Sequence, residues 1–336
     1  MPPARRAARG LTVAVTGPTG EIGKPFIAAL EKAPAREIGR IVGMARRPFD
    51  PAEHGWKRTE YRRGDVLDRA AVEGLVDGAD VVVHLAFIVV QASSDTRNIN
   101  VEGSRNVFEA AVAAGAKRLV YASSVAAYGF PEDADGLLTE EMPPRGHDRF
   151  PYSAHKAEVE AVLSEAIAGG DTDAYVFRPC IVAGPDAPML VNAVPHLRLR
   201  RRLPGVVRPL LVLPDPGVPF QLVHHDDVAL ALRAGVLGRG TPGAYNLAGP
   251  GEVRMRDLAD ALGLRTVPVP HAAVEAAAHA VALSPWAPAE ATWIEAARRP
   301  VLMDTSKARR ELRWRPRHDA QETLRETVAA VEAARS

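Results

Sequence analysis

From residue 11 the chain opens on an apolar run, LTVAVT, in which Leu11, Val13 and Val15 are large and Ala14 is small. Unbroken hydrophobicity of this kind marks a strand buried on both faces. Just beyond it, Ile22, Phe26, Ile27 and Leu30 recur at helical spacing. The same alternation continues. Short strand-like runs at 41–44, 60–62, 81–85, 118–121 and 174–178 predict strands, and the segments 70–76, 101–114 and 153–168 predict helices between them. In 101–114 the residues Val107, Ala110, Ala111 and Ala114 share one face, as do Val159, Val162, Leu163 and Ile167 in 153–168. Strands alternating with helices predict the α/β class, a doubly wound parallel sheet with crossover helices.

The pattern then breaks. Pro179, Pro185, Pro188, Pro195, Pro204, Pro209, Pro214, Pro216 and Pro219 crowd one segment. Proline removes backbone donors, so this stretch is expected to be loop and short helix of lid-like composition rather than more sheet. Regular patterning returns at 221–237 and 244–247, and helices are expected at 272–282 and 321–334. The division expected is a nucleotide-binding domain over 10–180 and 220–248. A smaller, mostly C-terminal substrate-binding region takes 181–219 and 249–336, and a disordered basic tail takes 1–9.

Composition narrows the function classes. Lys and Arg total 42 against 41 Asp and Glu, so no global charge draws the chain to nucleic acid or membrane. The single cysteine, Cys180, excludes an internal disulfide and a cysteine metal cluster. The apolar run from Val81 to Val90 is broken by His84 and too short to span a bilayer, and the start MPPARRAARG lacks a secretory apolar core. A cytoplasmic enzyme acting on a small molecule is expected. No metal is expected either. HHDD, at 224–227, places adjacent residues on opposite faces of a strand, and Asp226 or Asp227 is expected to cap the following helix. The run Arg198, Arg200, Arg201 and Arg202 is expected to be a solvated helix face.

Two constellations carry chemistry. Gly17, Gly20 and Gly23 follow the first strand at three-residue spacing and open a helix. One glycine permits the tight turn, one lets backbone approach a pyrophosphate, and one lets the helix pack closely on the sheet. The helix N-terminus then faces the anion, which predicts a Rossmann dinucleotide site. The second constellation is Ser124, Tyr152 and Lys156. Tyr152 and Lys156 lie four apart at a helix start and share a face. A phenol exchanges protons near neutral pH only if its pKa falls from about 10, and a neighbouring ammonium is expected to lower it. Ser124 follows a strand at its carboxyl end, where ligands collect in parallel sheets. Neither a GxSxG turn nor a Walker lysine motif is present.

With those residues in place, the chain resembles the extended short-chain dehydrogenase/reductase family, the NAD-dependent epimerase/dehydratase group, over nearly its whole length. TGPTGEIG resembles TGxxGxxG, GDVLD at 64–68 the adenine-contacting segment, and HLA at 84–86 the nicotinamide-side segment. NVEGSRNVFEAA opens with Asn100 at the structural asparagine, and YASSVAAYG and YSAHK match the active-site segments. FRPCIVAGP, LVHHDDVALA, YNLAG and DTSKARRELRWRP follow in family order. The resemblance implies cofactor contacts from Gly17, Thr19, Gly20, Glu21, Ile22, Gly23, Asp65, Val66, Leu85, Ala86, Phe87, Asn100, Tyr152, Lys156 and Pro179. It also implies proton exchange by Tyr152, ribose binding and phenol tuning by Lys156, and orientation of the substrate oxygen by Ser124. A homodimer through the helices at 101–114 and 153–168 is expected on the same ground.

The departures sharpen the reading. NAD-preferring relatives carry an acid after the second strand. Here Ala45 stands in that place, followed by Arg46 and Arg47, which suit a 2′-phosphate. NADP is therefore expected as the preferred cofactor, with NAD possible. Cys180 replaces the asparagine that nucleotide-sugar enzymes use, and Gln221 stands where they often have arginine. With Phe87 and Ser124, these two form the expected substrate contacts. Val125 and Ala126 replace the acidic pair of a dehydratase. The leading expectation is an oxidoreductase acting on a carbonyl or secondary alcohol of a small or medium-sized polar molecule. The alternatives are a nucleotide-sugar epimerase or dehydratase and a non-catalytic nicotinamide-sensing regulator, the latter disfavoured by Tyr152.

Overall fold

In the computed structural model, residues 10–89, 94–131, 136–192, 212–284, 286 and 289–334 are described. The expected tail at 1–9 and the arginines at 198–202 lie outside them. β1 (Leu11–Thr16) runs parallel between β2 (Ile38–Ala45) and β4 (Val81–His84). β3 (Thr59–Arg63) forms one edge beyond β2. On the other side β5 (Arg118–Ala122), β6 (Asp173–Pro179) and β10 (Gly243–Leu247) continue the sheet. The spatial order is β3-β2-β1-β4-β5-β6-β10, all parallel. Strand order therefore reverses between β1 and β4, and the carboxyl ends of those two strands open the crevice where such sheets take ligands.

Alternation along β1 explains why helices cover both faces. Val13 and Val15 join one core with Phe26 and Ile27 of α1 (Gly23–Glu31) and with Val228 and Leu232 of α7 (His225–Val236). Ala14 joins the opposite core with Val107 and Phe108 of α4 (Gly103–Ala113) and Val159 and Leu163 of α5 (Pro151–Ile167). α2 (Arg69–Val76) lies beside α4, and α4 is entered through the short α3 (Ser94–Arg97) and a π turn at Asn98–Glu102. Each aliphatic side chain withdrawn from water contributes about 1.5–3 kcal/mol, so both faces hold the strand in register.

A third core stands apart from the sheet. Leu258 of α8 (Met255–Ala261) and Leu324 and Val328 of α11 (Ala320–Ala333) pack there with Ala183, Val191 and Leu213. The proline-rich stretch departs from expectation at this point. β7 (Ile181–Ala183) pairs with β9 (Leu222–His224), and β8 (Val212–Asp215) pairs with β11 (Arg265–Pro268). Only α6 (Met189–Asn192) is helical between β7 and residue 193. In a two-stranded ribbon every strand is an edge, so Pro214 loses no obligatory ladder bond. No described helix is long and apolar enough to cross a membrane.

Candidate active site and cofactor cleft

The glycine turn is built by backbone contacts. Gly17 adopts φ +73°, and a Cβ there would stand 2.7 Å from the Ala86 nitrogen. Its own nitrogen donates to Met44 O at 3.0 Å. At Gly23 a Cβ would meet Gly17 O at 2.2 Å, so this glycine closes the turn onto α1. Gly20 differs: the nearest atom to its hypothetical Cβ is 3.5 Å away, leaving an open surface for an incoming group. A turn closed at Gly17 and Gly23 and open at Gly20 fits a dinucleotide pyrophosphate. Glu21 turns elsewhere. Its carboxyl is bonded by the Met189 backbone, and burial raises its pKa from 4.5 to about 7.

The loop after β4 lies against this turn. Ala86 N donates to Thr16 Oγ1 at 3.4 Å, and Leu85 and Phe87 flank it. Asn100 is 1% exposed and clamps the loop, accepting from Ile88 N at 2.8 Å and donating to Ile88 O at 3.0 Å. It thus positions the loop that carries Phe87. His84 is fully buried between Thr16 and Ser104, and burial lowers its pKa to about 3, so the ring is neutral. On the adenosine side Asp65 accepts from Leu67 N at 3.0 Å, and the Val66 carbonyl accepts from Asn106 at 3.0 Å. Arg46 and Arg47 are exposed at the end of β2. A third cation, Arg63 of β3, donates to Arg46 O at 3.0 Å. Sequence reading missed it because strand pairing, not spacing, brings Arg63 opposite Ala45.

Ser124 follows β5 and accepts from Ala126 N at 3.2 Å, opening a 3₁₀ turn at Val125–Tyr128. α5 starts with Pro151 at its first position, where a missing N–H costs nothing. Ser153 pins that first turn to the Ser124 turn by donating to Ala126 O at 2.6 Å. The Tyr152 hydroxyl thereby meets the Ser124 side chain. Lys156, one turn on, donates to Ala122 O at 2.7 Å and to Tyr121 Oη at 3.3 Å, with its Nζ 3.7 Å from the Phe87 ring centre. The triad is assembled, but its electrostatics differ from the simple expectation. Burial pushes Tyr152 up to about 12 and Lys156 down to about 7, with Glu160 opposing the latter. Lys156 Nζ lies 6.0 Å from the Tyr152 ring centre and is held by β5, so here desolvation outweighs any lowering of the phenol by the amine.

Behind Lys156 a buried ion pair locks α5 to β6. Arg178 donates through Nε and Nη2 to Glu160 at 3.0 and 2.6 Å, and Ser123 Oγ donates to the same carboxylate at 2.5 Å. Neither the pair nor Ser153 stood out in the sequence, because their partners come from other elements.

The proposed substrate contacts divide. Phe87 meets Tyr152 edge to face at 5.7 Å. Pro179 is buried at the end of β6. Cys180 is 6% exposed within the core, and burial pushes its thiol pKa up, so it acts as a small apolar residue. Gln221 Oε1 accepts from Met303 N at 2.8 Å and its Nε2 donates to Met303 O at 3.4 Å, tying β9's approach to the C-terminal segment.

HHDD is corrected. β9 ends at His224 and α7 starts at His225, so the two rings lie 4.2 Å apart rather than on opposite faces. His318 stacks on His224 at 3.8 Å, and Glu326 lies 3.2 Å from His224 Nε2. The helix cap is His224 Nδ1, which accepts from Asp226 N at 3.2 Å. Asp227 instead accepts from Arg317 N and His318 N at 2.9 and 3.1 Å, anchoring the C-terminal segment.

A parallel sheet with a dinucleotide turn at its switch point and a Ser-Tyr-Lys cluster beside it defines a nicotinamide-dependent enzyme fold. The model of the NAD dependent epimerase/dehydratase family matches residues 13–248, and the chain belongs to that family, as an enzyme of the extended short-chain dehydrogenase/reductase type. It is similar to the uncharacterized protein y4nG of Sinorhizobium fredii, at 28% identity over 97% of this chain and 80% of that protein. It is 32% identical to human 3 beta-hydroxysteroid dehydrogenase type 7 over 47% of this chain and 45% of that one. The match to an uncharacterized Mycobacterium tuberculosis protein, at 27% identity, spans 24% of that protein's length. In fold it is similar to MoeE5 in complex with UDP-glucose and NAD, with TM-score 0.72 and 22% identity, covering 97% of this chain and 100% of that one.

Proposed function

We propose that this chain is an oxidoreductase, preferring NADP over NAD, that interconverts a carbonyl and a secondary alcohol. The observation carrying this reading is that the start of α5, which bears Tyr152 and, one turn on, Lys156, is pinned by Ser153 to the Ser124 turn at the carboxyl end of β5. Gly17, Gly20 and Gly23 would hold the pyrophosphate, Arg46, Arg47 and Arg63 the adenosine phosphate, and Lys156 the nicotinamide ribose. Bound nicotinamide supplies the site for hydride gain or loss.

The protein's own part is proton handling and orientation. Ser124 Oγ holds the substrate oxygen, and Tyr152, kept protonated by burial, gives its proton to that oxygen in the reductive direction. A charged Lys156 then stabilises the tyrosinate left behind. The human relative's name, a hydroxysteroid dehydrogenase, supports a single redox step on a hydroxyl-bearing carbon. The likeness to a structure holding UDP-glucose keeps the nucleotide-sugar reading as the second one. The test is steady loss of reduced nicotinamide absorbance with a ketone substrate, for wild type and Tyr152→Phe. Turnover in the variant should fall about 10²–10⁴-fold with nicotinamide affinity unchanged. Near-wild-type turnover would assign the proton to another group, and rapid release of epimerised sugar without net nicotinamide change would favour the second reading.

A further inference from the structure

The surroundings of Tyr152 are aromatic. Trp293, in the 3₁₀ segment Ala289–Ala297, stacks on the Tyr152 ring at 5.7 Å with planes 27° apart. Phe150 touches both rings, at 5.7 Å from Tyr152 and 5.0 Å from Trp293. Phe130 stacks on Phe150 at 5.8 Å. Phe87 closes the other side, edge to face with Tyr152. This wall depends on a backbone contact. Gly129 holds φ +81°, and a Cβ there would stand 1.9 Å from Gly146 O, so the loops bearing Phe130 and Phe150 meet main chain to main chain. Phe130 itself is held at φ +55°, a conformation that a large side chain adopts only when its surroundings demand it.

The same Phe130 continues into a second feature. With Leu137, Leu138, Val301 and Leu302 it lines a cavity of about 390 Å³. Arg299 also borders the cavity and already has a partner. Among the described residues, Arg178 is paired with Glu160, and Arg298 with Glu275 and Glu295 at 2.6 and 2.7 Å. A diphosphate laid against these ring faces would desolvate its charges with no compensating contact from the rings themselves.

We infer that the substrate of this site is an apolar, ring-built ketone or alcohol whose body lies along Trp293 and Phe130, backed by the buried Phe150, and ends in the cavity bordered by Leu137, in place of the polar molecule expected from sequence. The inference rests on the oxidoreductase reading for the reacting carbon, and on ring packing and cavity lining for the rest of the molecule. Aromatic walls favour flat apolar bodies through area burial and ring contact, and a cavity of this volume lies in the range of small-molecule sites.

The experiment uses the NADPH-loaded full chain and a ketone series of rising apolar size: cyclohexanone, decalone and a saturated tetracyclic ketone. Dihydroxyacetone and UDP-glucose serve as polar comparators. Binding is followed by calorimetry and turnover by nicotinamide oxidation. The kcat/KM should rise at each added ring and exceed that for dihydroxyacetone by at least about a hundredfold. Trp293→Ala should weaken decalone about ten- to a hundredfold with NADPH affinity unchanged, and Trp293→Phe should restore most of the loss. Leu137→Glu changes a residue that is 53% exposed, so folding is spared. That variant should remove only the gain between decalone and the tetracycle. Tight binding of the series without turnover would leave the apolar site standing and refute the oxidoreductase reading. A flat series, preference for dihydroxyacetone, displacement of decalone by micromolar UDP-glucose, or indifference to Trp293→Ala would each overturn the inference.

Discussion

Tyr152 keeps its proton because the ring stands in a low-dielectric pocket, and Lys156 gives its proton up easily for the same reason. With values of about 12 and about 7, the pair near neutral pH is a phenol beside a half-charged amine. If the ammonium stabilises tyrosinate as ketone reduction proceeds, the reductive kcat/KM should fall as pH rises through about 7. A pH–rate profile that stays flat to pH about 9 would remove Lys156 from that role. At the other end of the cleft, Arg46→Ala should weaken NADPH about ten- to a hundredfold and leave NADH nearly unchanged, measured by nicotinamide fluorescence titration. Equal losses would mean that Arg46 is a surface charge with no phosphate partner. Tyr152 and Lys156 were legible in the chain because they lie four apart on one helix face, and Ser124 because it follows a strand and matches the family's motif; tertiary contact brings Ser124 to Tyr152. Ser153, Trp293 and Arg63 were not, since each owes its place to an element distant in sequence.

Among the elements, the glycine turn carries the sharpest demand on residue type. Gly20→Val should leave the fold and remove cofactor affinity, because the added side chain enters the open surface without striking the turn's own atoms. Retained affinity in a folded variant would make the turn purely structural. Glu21, next in line, has a pKa near 7 in the folded chain against 4.5 for the ordinary group. Between those values the unfolded chain has lost a proton that the folded chain retains, so stability declines as pH rises from 4.5 to 7 and stays lower above. Glu21→Gln should therefore match wild type at low pH and exceed it at pH about 8 by about 1 kcal/mol, allowing for solvent screening. Thermal unfolding at the two pH values checks this, and a gain larger at the acid end would contradict the assigned cause. Through β6 the strand and helix order was readable from hydrophobic period, whereas α8 and β11 beyond it went unread. β7 and β8 were not readable, because prolines mask a strand whose donors need no partner.

At the scale of the whole molecule, α4 and α5 lie side by side on one face of the sheet, rimmed by the Arg105–Glu165 ion pair at 3.4 Å. The small outward residue Ala161 lies on α5. A second copy packing these helices against its own would form a four-helix interface, close because alanine permits it. Light scattering should give a dimer at micromolar concentration, and Ala161→Arg should give a folded monomer. A monomeric wild type would dismiss the interface. The alternating α/β order, the family's motifs, the glycine turn and the Tyr152/Lys156 pairing on one helix face were set by the sequence, because hydrophobic period and short-range spacing are properties of neighbouring residues. Tertiary structure alone decided the raised Tyr152 and lowered Lys156, the pairing of Gln221 with Met303, the clustering of His224 with His225 and His318, and the aromatic wall completed by Trp293. Burial, dielectric and ring contact depend on what the rest of the chain places around a residue, and that is fixed only when the sheet, its helices and the C-terminal segment close on one another.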